Sequence, residues 1–194
     1  MTRHLEQSGV IEVITGCMMS GKTTELIRRV ETADIAGLDY RIFKPTIDTR
    51  YDENAVVNHN GDEWGATVVD TVEAIVRETD TSTVDIVAID EIQFFDAEKL
   101  YESVVSLIDN NVTVILAGLD TDFRGERFES TARLLAQADH ISKLKAVCAE
   151  CGKPATRTQR LVDGSPARYD SDRVVVGGTE QYEARCREHH EVPQ

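Results

Sequence analysis

The sequence has no long hydrophobic run. Its longest apolar stretch, residues 112–119, is interrupted by Thr113 and Gly118, whereas a membrane-spanning helix needs roughly 20 mostly apolar residues. The N-terminal residues contain neither an apolar segment nor a small-residue cleavage site, so they do not predict secretion. We therefore expect a cytoplasmic protein that has no membrane partner.

Basic residues are also scarce. Lys and Arg number 21 against 35 Asp and Glu, the formal net charge is −14, and only six of the basic residues are Lys. Because nucleic-acid backbones require clustered Lys and Arg, this charge argues against a nucleic-acid partner. Concentrated salt screens the self-repulsion of an acidic surface. A halophilic source is therefore one hypothesis, and an ordinary acidic cytoplasmic protein is the alternative.

Cysteines are few, but three of the four form two chelating pairs with a histidine: Cys148-x-x-Cys151 and Cys186-x-x-His189. Three thiolates and one imidazole make the closed, tetrahedral ligand set of structural zinc. His190, the next residue, is an alternative fourth ligand. Because four protein ligands leave no open coordination position, we expect the zinc to tether the loop of residues 152–185 and not to catalyse a reaction.

Strand patterns alternate with helical patterns along most of the chain. Strands are predicted at residues 10–15, 40–43, 84–89, 112–117 and 141–147, and helices at residues 22–36 and 97–108. Such alternation is typical of an α/β fold with a mainly parallel sheet flanked by helices. The polar residues 47–67 predict a loop or an irregular hairpin. The frequent Gly, Pro and Arg residues after Cys148 predict a separate, small unit.

Residues 16–24 carry the pattern of a phosphate-binding loop. The segment Gly16-Cys-Met-Met-Ser-Gly-Lys-Thr23 fits G-x-x-x-x-G-K-[ST], in which backbone N–H groups and the lysine contact phosphates and the threonine hydroxyl contacts Mg²⁺. Cys17 is expected to be a small packed side chain. The residues predicted to bind a nucleoside triphosphate and Mg²⁺ are Gly16, Met19, Ser20, Gly21, Lys22, Thr23, Thr24 and Asp90.

An acidic pair follows the strand predicted at residues 84–89. Asp90 and Glu91 fall at the carboxyl end of that strand, where ligands bind in open α/β sheets. Asp90 is expected to hold Mg²⁺, and Glu91 to act as a general base. The same pair can activate water in an ATPase, so it leaves the phosphoryl acceptor open. The sequence contains no Asn-Lys-x-Asp motif, which disfavours a GTP switch.

Together the motifs resemble those of the tetrameric, zinc-containing thymidine kinases. The resemblance covers nearly the whole chain and rests on residues 16–24, 48–51, 90–95, 118–128, 148–151 and 174–189. It implies a recombinase-like P-loop fold in residues 1–147 and a zinc-binding lasso, or lid, in residues 148–194. It also implies a homotetramer that transfers the γ-phosphate of ATP to the 5′-hydroxyl of thymidine or deoxyuridine, a step of pyrimidine deoxynucleoside salvage.

The resemblance further implies roles for individual residues. Glu91 would take the proton of the hydroxyl, and Arg50 would stabilise phosphoryl charge. The residues implied to line the nucleoside pocket are Met18, Phe94, Leu119, Phe123, Phe128, Thr158, Val175 and Tyr182. Two other functions are weighed against this one: a P-loop ATPase whose acceptor is water, and a zinc-stabilised nucleotide-binding module without turnover.

Overall fold

The computed structural model describes residues 9–46, 55–57, 63–173 and 181–194. Up to residue 143 the elements are β1 (Ile11–Thr15), α1 (Lys22–Ile35), β2 (Tyr40–Pro45), β3 (Ala55–Val57), β4 (Glu63–Gly65), β5 (Thr67–Val69), α2 (Val72–Glu78), β6 (Ile86–Ile89), a 3-10 turn (Ile92–Phe94), α3 (Ala97–Asp109), β7 (Thr113–Gly118), α4 (Glu129–Leu135) and β8 (His140–Lys143). No helix among the described residues is both long enough and apolar enough to span a bilayer.

Six parallel strands form the central sheet, in the order β5-β2-β6-β7-β1-β8. Thr15, at the end of β1, lies opposite Gly118 of β7, and Ile89, at the end of β6, lies opposite Leu116 of the same strand. The carboxyl ends of β1, β7 and β6 therefore meet at one edge of the sheet. This architecture confirms the predicted α/β class with its mainly parallel sheet.

Helices cover both faces of this sheet because alternate strand residues point to opposite sides. Ile14 and Ala88 pack on the face covered by α1, which contributes Leu26 and Val30 at helical spacing. The opposite face packs against the 3-10 turn and α2, α3 and α4. The side chain of Asp96 caps α3 by accepting hydrogen bonds from the N–H groups of the next turn. Sequence periodicity thus placed α1 and α3 to within one residue.

The prediction of a single strand at residues 141–147 is wrong, because two strands occupy this run. β8 ends at Lys143, and β9 (Ala146–Val147) pairs instead with β10 (Pro154–Ala155). The neighbour of β8 is β1, which stops at Thr15 where the phosphate loop begins. Beyond this point β8 has no strand to pair with, so the chain leaves the sheet.

The chain after β9 contains strands where a tethered loop is predicted. β11 (Arg157–Val162) pairs antiparallel with β12 (Ser165–Pro166) and with β13 (Gln181–Arg185). Asp163 and Gly164, between β11 and β12, both have positive φ angles, and an Asp-Gly pair favours such a two-residue hairpin turn. The loop prediction is therefore wrong for residues 157–162, 165–166 and 181–185, which form a small antiparallel sheet.

The polar region of residues 47–67 contains a short hairpin, formed by antiparallel pairing of β3 and β4. This agrees with the hairpin alternative for the described part of the region. β5 follows directly and adds an edge strand to the central sheet. Its three residues are too few for a periodic pattern, so the sequence did not predict it.

Candidate functional site

The phosphate loop joins β1 to α1 and is shaped by two glycines. Gly16 has a φ of 148°, and a Cβ there would lie 2.6 Å from the carbonyl oxygen of Leu144. Gly21 has a φ of 83° and caps α1 without a side-chain hydrogen bond. The hydroxyl of Ser20 is buried and has no hydrogen-bond partner among the described residues. Such a loop, at the positive end of a helix dipole, suits an anion.

Lys22 places its ammonium group between the loop and the acidic pair. Its side chain donates a hydrogen bond to the Cys17 carbonyl oxygen at 3.0 Å, and only 9% of the residue is exposed. Burial lowers the pKa of Lys22, and the nearby carboxylates of Glu91 and Asp90 oppose that shift. The lysine therefore lies where it can contact phosphate oxygens and where carboxylates help to keep it charged.

Thr23 and Asp90 are in direct contact although they are 67 residues apart. The Thr23 hydroxyl donates a hydrogen bond to the Asp90 carboxylate at 2.9 Å. Burial, and then the neighbouring Glu91 carboxylate, raise the pKa of Asp90 to about 7. A hydroxyl and a carboxylate at one point form the hard oxygen donor set that Mg²⁺ prefers. The predicted Mg²⁺ ligands thus fit the ion, and the half-buried Thr24 follows in α1.

Glu91 has a strained backbone and a carboxylate held by a neighbour. Its φ of 52° and ψ of 41° lie in the left-handed region, which non-glycine residues adopt infrequently. The side-chain amide of Gln93 donates a hydrogen bond to the Glu91 carboxylate and accepts one from the Leu119 N–H at 3.0 Å. Gln93 therefore fixes Glu91 relative to the end of β7. Strain of this kind is frequent at functional sites.

Gly118 allows the 3-10 turn that bears Gln93 to approach β7. A Cβ at Gly118 would lie 2.5 Å from Ile92 Cγ1 and 2.8 Å from Gln93 Oε1. Neither Gln93 nor Gly118 was among the predicted site residues. Both residues lie in segments that carry the family resemblance, Gln93 in residues 90–95 and Gly118 in residues 118–128. No local pattern in the sequence indicates that the two residues pack together.

Two of the three phenylalanines predicted to line the nucleoside pocket stack against arginines. The Arg124 and Arg160 guanidinium groups each lie 5.3 Å from the centre of the Phe123 ring, and that of Arg173 lies 4.7 Å from the Phe128 ring. Phe123 and Phe128 are buried, and neither belongs to the apolar clusters that flank the sheet. Phe94 is half-buried in the 3-10 turn, and its N–H donates to the Glu91 carbonyl.

Of the remaining predicted pocket residues, the structure brings Met18 and Thr158 together. The Met18 N–H donates a hydrogen bond to the Thr158 hydroxyl oxygen at 3.0 Å. Thr158 lies opposite Ala184, and Arg160 lies opposite Tyr182, so Thr158 and Tyr182 share one face of the β11–β13 pair. Leu119 follows β7 and is half-buried, Met19 is exposed, and Arg50 and Val175 lie outside the described residues.

A set of polar contacts ties residues 169–173 to the loop before α4. The Arg173 guanidinium forms an ion pair with Asp122 at 2.8 Å, and the Asp122 carboxylate is almost fully buried. Arg124 donates a hydrogen bond to the Ser171 carbonyl oxygen, and the Tyr169 hydroxyl bonds to the carboxylate of Glu126. The chain that leads into the predicted base-binding segment is thereby anchored to the loop between β7 and α4.

The four predicted zinc ligands converge. Their ligand atoms all lie within 4.8 Å of one another, and the cysteines are not in disulfides. Cys151 Sγ is 3.8 Å from Cys186 Sγ, and His189 Nδ1 is 3.3 Å from Cys186 Sγ and 3.7 Å from Cys148 Sγ. Zinc–sulfur bonds of about 2.3 Å in a tetrahedron require sulfur separations of about 3.8 Å. The cluster therefore fits zinc.

The structure distinguishes His189 from His190 as the fourth ligand. His190 Nε2 lies 2.7 Å from the Phe123 carbonyl oxygen, whereas the His189 ring faces the thiols. Desolvation raises the pKa of Cys148, but hydrogen bonds from backbone N–H groups outweigh it and lower this pKa to about 6. A thiol that ionises readily is a suitable metal ligand.

Cys17 is fully buried, as predicted for a small packed side chain. It packs in a cluster of small residues that belong to the C-terminal strands and to the metal site: Ala146, Cys148, Ala155, Ala184 and Cys186. Its thiol lies 3.6 Å from the Ala155 carbonyl oxygen. Burial raises the pKa of the Cys17 thiol, so this cysteine is not activated by the helix that follows the loop.

Comparison with known proteins gives a family match over most of the chain. A family model described as "Thymidine kinase" matches residues 9–190. The thymidine kinase of Coprothermobacter proteolyticus is 50% identical over 189 residues, which cover 97% of this chain and 94% of that protein. The thymidine kinase of Thermococcus kodakarensis is 49% identical over 195 residues, which cover 98% of each. The family match includes the phosphate loop, the acidic pair and the four residues of the metal cluster.

Proposed function

The chain belongs to the thymidine kinase family, and from this premise we propose that it transfers the γ-phosphate of ATP to the 5′-hydroxyl of thymidine, and also of deoxyuridine. One observation carries the proposal. Lys22 and Thr23 of the phosphate loop meet Asp90 and Glu91 at one edge of the sheet. This arrangement supports the proposal, because a triphosphate bound on the phosphate loop would lie beside a carboxylate that can accept a proton.

The phosphate loop holds the donor in this proposal. The N–H groups at the start of α1 and the buried ammonium of Lys22 bind the phosphate oxygens. Thr23 and Asp90 are the residues that would hold Mg²⁺, and this ion supplies charge neutralisation of the phosphates. Arg50 adds positive charge to the transferred group in the proposal, although it lies outside the described residues.

Glu91 is the proposed general base. Its carboxylate takes the proton of the 5′-hydroxyl while the hydroxyl oxygen bonds to the γ-phosphorus, and the bond from that phosphorus to the bridging oxygen breaks to release ADP. Gln93 supports this role because its amide fixes the direction of the Glu91 carboxylate. The protein thereby provides orientation in addition to a proton acceptor.

The nucleoside pocket is proposed to form between the proposed nucleotide-binding domain and the C-terminal strands. Phe94, Phe123 and Phe128 offer aromatic surface on the domain side, and Thr158 and Tyr182 share one face of the β11–β13 pair. The aromatic rings suit stacking against a pyrimidine. Met18, Leu119 and the main chain at Val175 complete the proposed set. In this proposal the lid closes over the pocket and excludes water from the transferred phosphoryl group.

Zinc at the Cys148, Cys151, Cys186 and His189 cluster is proposed to be structural. All four positions of a tetrahedral ion are filled by the protein, so the site leaves none for a substrate. The ion would join β9–β10 to the end of β13 and so fix both ends of the loop of residues 152–185, within the proposed lid of residues 148–194. Residues 1–147 form the proposed nucleotide-binding domain.

A product assay separates this function from the two alternatives. The purified protein is incubated with Mg-ATP, alone and with thymidine, deoxyuridine, deoxycytidine or deoxyguanosine, and nucleoside monophosphate and free phosphate are both quantified. We expect monophosphate from thymidine and deoxyuridine, with little phosphate release in the absence of nucleoside. Phosphate release that is independent of nucleoside indicates an ATPase, and nucleotide binding without any product indicates a binding module.

The proposal extends to the assembly, the location and the salt preference of the protein. The family resemblance suggests a cytoplasmic homotetramer. The net charge of −14 suggests a halophilic source, because salt screens the repulsion among acidic side chains. We expect the melting temperature to rise between about 0.1 M and about 2 M KCl. A melting temperature that stays constant or falls over this range would contradict the halophilic hypothesis.

A further inference from the structure

The N-terminal half of the phosphate loop contacts the metal-binding unit, by which we mean strands β9–β13 together with the four residues of the metal cluster. Cys17 is 0% exposed, and its neighbours in the apolar cluster are three alanines and the metal-site residues Cys148 and Cys186. The two apolar clusters that flank the central sheet do not include Cys17. The side chain of this loop residue is therefore packed by residues of β9, β10 and β13 and of the metal cluster, and not by the apolar clusters of the central sheet.

A hydrogen bond at the next residue makes the same connection. The Met18 N–H donates to the Thr158 hydroxyl oxygen at 3.0 Å, and Thr158 is 2% exposed. Thr158 lies on β11 opposite Ala184 of β13, and Cys186 of the metal cluster is two residues further along the chain. The acceptor for the loop amide is thus connected to the metal cluster through one pair of strands.

Cys17 also contacts Lys22, the lysine that is proposed to bind phosphate. The Cys17 carbonyl oxygen accepts the hydrogen bond from Lys22 Nζ at 3.0 Å. The residue whose side chain is packed by the metal-binding unit therefore also provides the acceptor that holds Lys22. A shift of Cys17 would move this acceptor and change the direction of the loop N–H groups.

The metal-binding unit has little apolar packing of its own near this contact. The cluster around Cys17 consists only of alanine and cysteine side chains, and such small groups bury little apolar area. A structural metal replaces a large core in small units of this kind. We therefore expect metal ligation, through Cys186 at the end of β13, to contribute to the position of β11 and of the Thr158 hydroxyl.

We propose that the metal-binding unit positions the phosphate loop through Cys17 and Thr158, so that metal occupancy sets the affinity for nucleotide as well as the order of the lid. Thr158 and Cys17 are then positioning residues for the donor site. This inference rests on the proposed function, because it takes residues 16–24 to be the nucleotide site. It adds a link between the metal cluster and the nucleotide site.

The test measures Mg-ADP binding by calorimetry without any nucleoside, so that the nucleoside pocket does not contribute. Thr158→Val removes the acceptor of the Met18 N–H and keeps the side-chain shape, whereas Thr158→Ser retains a hydroxyl. Thr156→Val is the matched control, since the Thr156 side chain makes no hydrogen bond to any described residue. Bound zinc and far-ultraviolet circular dichroism are measured for each variant.

We expect Thr158→Val to weaken Mg-ADP binding roughly five- to tenfold, as for a partly buried N–H that loses its partner. Thr158→Ser should restore affinity to within about twofold, and Thr156→Val should match the parent protein. All three variants should keep their zinc. In the parent protein, removal of zinc by a chelator should weaken Mg-ADP binding at least as much as Thr158→Val does.

Two negative results have different meanings. If the parent protein binds no Mg-ADP, the proposed nucleotide site is wrong. If the parent binds Mg-ADP and zinc-containing Thr158→Val binds it equally well, the coupling is refuted while the proposed function stands. Because chelation can also unfold the C-terminal strands, the comparison of the zinc-containing variants decides the question.

Discussion

Replacing Gly118 with alanine should disturb Glu91 without changing any residue of the acidic pair. The new methyl group would lie 2.5 Å from Ile92 Cγ1, 2.8 Å from Gln93 Oε1 and 3.3 Å from the Ile92 nitrogen. Carbon atoms are at their best separation at about 3.5–4.0 Å, so the turn must move by about 1 Å. The Ile92 side chain is fully buried and cannot turn into solvent to relieve the contact.

Two effects lower the free energy of unfolding of Gly118→Ala. Overpacking of a tight core costs about 1–3 kcal/mol, and loss of a hydrogen bond made by Gln93 costs about 1 kcal/mol more. We therefore expect the free energy of unfolding to fall by about 2–4 kcal/mol. A displacement of about 1 Å at a catalytic group can reduce a rate by about a hundredfold, so turnover should fall by roughly that factor.

Gly65→Ala is the matched control, because a Cβ at Gly65 meets no atom within 4 Å. Urea unfolding and steady-state phosphorylation of thymidine are measured for both variants. Gly65→Ala should stay within about 0.5 kcal/mol of the parent protein, since the site has room for a methyl group. In Gly118→Ala, Mg-ADP affinity should change far less than turnover, because Lys22 and Thr23 are carried by the phosphate loop and α1. If the two variants show equal stability and turnover, close packing of the turn against β7 does not set the position of Glu91.

Three further substitutions, one of them with a matched control variant, test other parts of the site. Glu91→Gln should lower turnover by about a hundredfold or more with Mg-ADP affinity retained, and unchanged turnover would exclude Glu91 as the base. Arg173→Gln leaves the buried Asp122 carboxylate without its ion pair and should raise the KM for thymidine several-fold; because Arg173 is partly exposed, we expect a stability loss of only about 1–2 kcal/mol. Arg168→Gln, whose partner is an exposed neighbouring carboxylate, should change neither value, and equal KM values for the two variants would contradict the anchoring role. Cys151→Ser should reduce bound zinc from about one ion per chain to near none, and a variant that keeps stoichiometric zinc would remove Cys151 from the ligand set.

Most of the fold was predictable because its signals are local. The strand before the phosphate loop and the helix after it were placed to within one residue by apolar periodicity. The helices α2 and α4 have seven residues each, which is too short for a clear helical period, and they were missed. The run at residues 141–147 was assigned to one strand, because nothing in its own residues shows that β1 ends at Thr15.

The site was predictable to the extent that its residues are adjacent in sequence. The phosphate loop, the Asp90–Glu91 pair and the two chelating pairs have fixed spacings, and the structure brings the described members of each together. Gln93 could not be assigned, because its role depends on a bond to Leu119, 26 residues away. His189 and His190 could be distinguished only by the directions of their rings. The hairpin at Asp163 and Gly164 has a local signal, because an Asp-Gly pair favours a two-residue turn.

The position of β1 in the sheet has a consequence for the synthesis of the chain. Among the described strands β1 comes first along the chain, yet its neighbours in the sheet are β7 and β8. At about 5–20 residues per second, the ribosome needs roughly 5–20 s to proceed from Thr15 to Gly118, where β7 is complete. During this time β1, which leads into the phosphate loop, has neither of its native neighbours in the sheet, so its unpaired edge is open to aggregation and to chaperones. A nucleotide cannot assist folding until β7 has emerged, which makes the completion of the donor site a late event.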